Sequence, residues 1–266
     1  MLGVQSPLKQ PKPTAGVQTA KTPQEELLNY GWCDFAMQEA KYPEDLRRVT
    51  AGMTNDQAKV FRRGTDALED FDPNGTKGYY GVRDHSVHLD MNKNDWESAS
   101  HGYPNTNVSS LFHELSHAID YNEGDVNRIS KTPGLLDKIK EDALKWANDL
   151  LIDAEEEPLK DFSRISQPQK MVLNEWLWGD KTKYCNVSDI FEGLTNGRIG
   201  GWNNKQAGHG VDYWKDDPEN IMIEFVAEAG HAWVMNEKGF QEVFGDAESG
   251  GALQMVIDEM RKRYAN

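Results

Sequence analysis

The stretch Val108–Asp120, VSSLFHELSHAID, decides how this chain is read. It contains His113-Glu114-Leu115-Ser116-His117, an HExxH pattern. Residues four apart share one face of a helix, one turn apart. Two imidazoles at that spacing reach a single metal ion, and zinc suits them. Glu114, the next residue, projects beside such an ion and accepts a proton from the water that zinc acidifies to a pKa of about 7. The apolar positions Val108, Leu111, Phe112, Leu115, Ala118 and Ile119 predict a buried helix over 107–122, capped by Ser109 or Ser110 and closed near Gly124. Asp120, three residues after His117, is spaced to orient a ligand histidine.

A catalytic zinc takes three protein ligands and keeps one open position. The compact pattern with a third histidine is absent, because AIDYNEGDV follows His117. The best source of a third ligand is ENIMIEFVAEAGHAWVM, 219–235, which has the pattern of an amphipathic helix. Glu224 lies between apolar neighbours in it, and a carboxylate so embedded needs a partner such as a metal. Glu228 and His231, one and two turns onward, compete for the role or support it. The segment AGHGVDYWK, 207–215, offers His209 and Tyr213 as hydrogen-bond donors to a developing oxyanion.

Outward from these segments the pattern is α+β and mostly helical, with a small sheet beside the motif helix. Residues 1–22 are rich in Pro, Gln, Lys and Thr and read as a flexible tail or linker remnant, so 23–266 forms the folded domain. Thr22-Pro23-Gln24-Glu25 starts a helix, and further helices fall within 43–70. Asp72-Pro73-Asn74-Gly75 reads as a turn, followed by short strands at 78–82 and 85–91. Helices are expected at 134–155, 167–178, 187–195, 218–236 and 248–264, with a Gly/Asn-rich loop after the third of these.

The 266 residues carry a net charge of −15, with a sequence pI near 4.9. An acidic surface repels phosphate, which argues against nucleic acid and anionic membranes as partners. Eight tryptophans, nine tyrosines and nine phenylalanines supply ample core. The two cysteines, Cys33 and Cys185, lie in no CxxC pattern; a thiolate zinc cage is not expected, and one isolated bridge is the most they could form. No secretory signal or membrane-length apolar run is visible.

Taken in order, HELSHAID, SDIFEGLTNGRIGG, GHGVDYWK and ENIMIEFVAE resemble the metallopeptidase-like domain at the C-terminus of some phage minor head (Mu F-type) proteins. More distantly they are similar to other zincins with a glutamate third ligand, the anthrax lethal factor type among them. The resemblance runs from Gly78 to Trp233. It implies a zincin fold in which Glu224, followed by Ala227, completes the metal site. It also implies a setting in a bacterial cytoplasm, a virion or a targeted cell, with phage head or toxin-system components as partners. The expected activity is zinc-dependent hydrolysis of a peptide or protein substrate that adds as a strand alongside 85–91. The alternatives are a head-associated module whose zinc only stabilises the fold, and a toxin effector peptidase.

Overall fold

The computed structural model describes residues 21–93, 96–103, 105–180, 183–201, 208–217 and 219–266. The tail reading for 1–22 therefore falls almost wholly outside the described residues, as does the centre of the Gly/Asn-rich loop. The fold is α+β and mostly helical, with one small mixed sheet. Contacts divide the chain into two compact units, Met1–Gly124 with Met260–Asn266, and Asp125–Glu259. The expectation of one domain over 23–266 drew no such division.

The first unit opens with four short helices, α1 Pro23–Leu28, α2 Gly31–Glu39, α3 Pro43–Gly52 and α4 Asn55–Arg63. Local chemistry sets two of their starts. The Thr22 hydroxyl accepts the Glu25 amide while the Glu25 carboxylate accepts the Thr22 amide. Thr54 and Gln57 repeat the arrangement at α4. The chain then forms β1 Asp70–Asp72, β2 Asn74–Gly81 and β3 Ser86–Asp90. The strand order is β1-β3-β2, with β1 parallel and β2 antiparallel to β3. In register, Phe71 stands opposite Val87, and Tyr80 flanks Val87 on the other side. Val87, Leu89 and Met91 point into the core, as their alternation predicts.

Two sequence expectations change here. β2 begins at Asn74, inside the segment read as a turn, and reaches its partner through a register shift between Asn74 and Tyr79. β3 is the central strand, because the three-residue β1 pairs with its other edge. A substrate strand cannot add to an edge already taken, so the expected docking alongside 85–91 is corrected. The edge strands are β1 and β2, and β2 is the longer.

After α5 Trp96–Ser100 comes the motif helix α6, Val108–Tyr121, packed on β2 and β3. Its N-cap is Asn107 rather than Ser109 or Ser110. Ser109 lies inside the first turn, where its amide donates to Ser98 Oγ at 3.0 Å, so α5 satisfies a donor that a cap would otherwise take. Phe112 meets Phe61 edge-on, with ring centroids 5.2 Å apart, which anchors α6 to α4.

The second unit contains α7 Leu135–Asp153, α8 Gln167–Gly179, α9 Cys185–Thr195, α10 Val211–Asp216, α11 Asn220–Met235 and α12 Lys238–Phe244. The terminal helix α13, Ala252–Tyr264, carries the chain back into the first unit. The helix expected at 248–264 begins four residues later, and α12 was not anticipated; seven residues containing a glycine are too short to show a period. The apolar stripe of α7 is buried, with Trp146 edge-on to Phe191 of α9 at 5.4 Å. Phe225 of α11 packs against Phe240 and Phe244 of α12. The buried Arg128 bonds Glu219 at 2.6 Å and Asp125 at 3.1 Å, tying the start of α11 to the 125–128 turn that precedes α7.

Both cysteines are buried thiols, and no bridge forms between them. Burial pushes the Cys33 thiol up to about 12, which leaves it without thiolate character at neutral pH.

Candidate functional site

In the first unit, α6 presents its histidines as the spacing requires. The His113 and His117 rings lie with centroids 4.9 Å apart and planes at 84°. His117 and Glu114 are buried, and His113 is half-buried. Gly78 explains how the sheet fits beside the motif. A methyl group there would stand 3.1 Å from Leu89 Cδ1 and 3.3 Å from Glu114 Oε1, so β2 runs directly against the Glu114 carboxylate. Asp120 is fully buried on the same helix. Its charge, after burial itself and with other nearby groups, helps hold the Tyr80 phenol above its ordinary range. Two adjacent imidazoles can hold a divalent ion such as zinc, with Glu114 beside them as a base.

In the second unit, three separate segments bring the other expected residues together. Glu224, buried on α11, accepts a hydrogen bond from the Tyr213 hydroxyl of α10 on its Oε1. His209 Nε2 stands 3.7 Å from the same oxygen. The His209 and Tyr213 rings stack with centroids 4.4 Å apart, and Trp214 meets His209 edge-on at 5.5 Å.

Two residues that the sequence reading left without a role hold this group in place, Asp189 and Glu192 on the wholly buried α9. Asp189 Oδ1 accepts the His209 main-chain amide at 2.9 Å, and Oδ2 lies 2.9 Å from His209 Nδ1. Glu192 Oε2 accepts the Gly210 amide at 2.9 Å and the Trp214 indole N–H at 3.2 Å. Gly201 is also pinned, through its amide, to Ser188 Oγ. With φ at +67° and Glu192 Cδ 2.0 Å from where a Cβ would stand, Gly201 admits no side chain. Burial pushes the Asp189 carboxyl up to about 6; the charge of His209 and its hydrogen bond oppose the rise, and Glu224 and Glu228 add to it. The signal for both acids was present in NVSDIFEGL, where Asp189 and Glu192 sit among Val187, Ile190, Phe191 and Leu194. The argument applied to Glu224 holds for them equally.

Glu228 and His231, the competing ligand candidates, belong to a different group. His231 Nδ1 lies 2.8 Å from Asn186 Nδ2, 3.6 Å from Glu228 and 3.7 Å from Glu237. Asn186 also donates to Glu237 at 2.8 Å. Within this unit, Glu224 is thus the α11 carboxylate that meets both His209 and Tyr213, while Glu228 and His231 form a buried network with Asn186 and Glu237.

Among the described residues, no helix is long and apolar enough to cross a membrane. Comparison with protein-family models, with curated proteins and with solved structures finds no match to this chain.

Proposed function

We propose that the chain is a zinc-dependent peptidase, with His113 and His117 as metal ligands and Glu224 as the third ligand on the sequence reading alone. The observation that carries this reading is the paired imidazoles of α6, with Glu114 next to them and pressed against β2. Glu224 is a buried carboxylate whose neighbours, Tyr213 and His209, are the donors an acyl-transfer site requires. When bound, zinc would lower the pKa of the attacking water to about 7 and polarise the scissile carbonyl.

The protein's own groups do the rest. Glu114 takes the proton of the attacking water and delivers it to the leaving amine. Tyr213, or His209 when doubly protonated, donates a hydrogen bond to the oxygen on which negative charge develops. Gly78 leaves room for Glu114 beside the strand. An extended peptide adds to the outer strand β2 by main-chain pairing, instead of to β3. The substrate is a peptide or protein, and the sequence resemblance puts the enzyme in a phage or toxin context.

Glu114→Gln tests the reading in the full chain. Wild type and variant are each assayed for zinc content, melting temperature and cleavage of a mixed peptide library. The expected outcome is equal zinc, a similar melting temperature and a loss of hydrolysis of about 10²–10⁴-fold in the variant. Bound zinc with no cleavage by wild type would instead favour a non-catalytic head-associated module.

A further inference from the structure

The second unit contains two groups in which a histidine meets carboxylates, and they differ in access. The His231 side chain is 1% exposed, among Asn186, Glu228 and Glu237. The His209 side chain is 36% exposed, so a small ion can reach it from solvent.

Asp189 takes the His209 main-chain amide on one oxygen and faces the ring Nδ1 at 2.9 Å with the other, which turns Nε2 toward Glu224. Nε2 stands 3.7 Å from Glu224 Oε1. One ion held by both atoms fits that separation, because two ligand atoms at about 2.0–2.2 Å from an ion stand at most about 4 Å apart. One ligand atom each from Asp189, His209 and Glu224 fall within 4.8 Å of one another. A carboxylate behind a metal-ligating imidazole is the usual means of fixing its tautomer and raising its basicity. Negative charge is also concentrated here, since Glu224 and Glu228 both act on the buried Asp189.

We propose that His209 Nε2 and Glu224 form a divalent-cation site contained in the second unit, with Asp189 holding the imidazole in its ligating tautomer. A nitrogen and carboxylate donor set selects first-row ions such as Zn²⁺ or Mn²⁺ over Mg²⁺ or Ca²⁺. The site does not need His113 or His117. It meets the peptidase reading only at Glu224, whose two oxygens allow it to serve a second ion. With Nε2 occupied, Tyr213 is left as the donor to the oxyanion.

The test is metal stoichiometry of the full chain, stripped with a chelator and titrated with Zn²⁺ alone or Mn²⁺ alone. Bound metal is read by plasma mass spectrometry and by calorimetry. Wild type is expected to bind two ions per chain, His209→Ala one, and the double variant His113→Ala/His117→Ala one. Asp189→Asn should keep both ions but weaken one about 10–100-fold. Because His209 is partly exposed, its alanine variant should fold, and its melting curve checks that. Loss of all metal in the α6 double variant would overturn the second-unit site and leave the peptidase reading standing, as would unchanged stoichiometry in His209→Ala. One ion in wild type, retained in the α6 double variant and lost in His209→Ala, would support the new site and sink the assignment of His113 and His117.

Discussion

The motif helix of the first unit and the α9–α11 cluster of the second gather histidines and carboxylates by opposite routes. On α6 the candidate groups fall within one stretch of five residues, and helical geometry alone sets His113 beside His117. In the second unit Asp189, His209, Tyr213 and Glu224 come from three helices and a loop, and only tertiary packing gathers them. Regular spacing makes a site readable from sequence. A site assembled by packing shows in the sequence only as acids embedded among apolar residues.

The contrast can be broken by substitution, and after the loss expected for Glu114→Gln the largest effect is expected in the second unit. Tyr213→Phe removes one hydroxyl and should lower turnover about 10²–10³-fold with zinc content unchanged. Steady-state cleavage of a peptide substrate, with metal analysis of the same sample, checks it. An undiminished rate would remove Tyr213 from the chemistry and leave the cluster structural.

On α6, outside the HExxH residues, the leading effect should be on stability. Phe112→Ala empties the space against Phe61 and should cost about 3–5 kcal/mol, read by denaturant unfolding. A smaller cost would mean that the helix is held elsewhere. Gly78→Ala sharpens the comparison further, because it presses on Glu114 without altering any ligand. Turnover should fall up to about tenfold while unfolding changes little. The smallest effect is chemical: with its thiol raised to about 12 by burial, Cys33 should resist alkylation in the native protein at neutral pH and react once the chain is unfolded.

The helical elements were largely legible in the sequence. The α7 and α11 stripes declare themselves by period, and Thr22 with Glu25 announces α1 by its capping chemistry. What stayed hidden has physical reasons. β1 is three residues long, too short for alternation to show, yet it makes β3 the central strand. The α6 start looked like a serine cap; instead Ser98 of α5 satisfies the amide, a contact between segments that no local pattern encodes. At the candidate site, the sequence singled out Glu224, His209 and Tyr213, which the second unit brings together. Asp189 and Glu192 escaped because acids in a short helix read as solvated until the burial of every α9 residue is known. Glu228 and His231 could not be separated from Glu224 by spacing alone, and it took Asn186 and Glu237 to place them in a different network.

X-ray absorption at the zinc edge tests the central claim most directly. The sample is His209→Ala loaded with a single equivalent of zinc, so that only the site assigned to α6 is filled. The account predicts a shell of nitrogen and oxygen only, with outer scattering from two imidazoles that disappears in His113→Ala/His117→Ala. Sulfur in the first shell, or imidazole scattering unchanged by that double substitution, would contradict it.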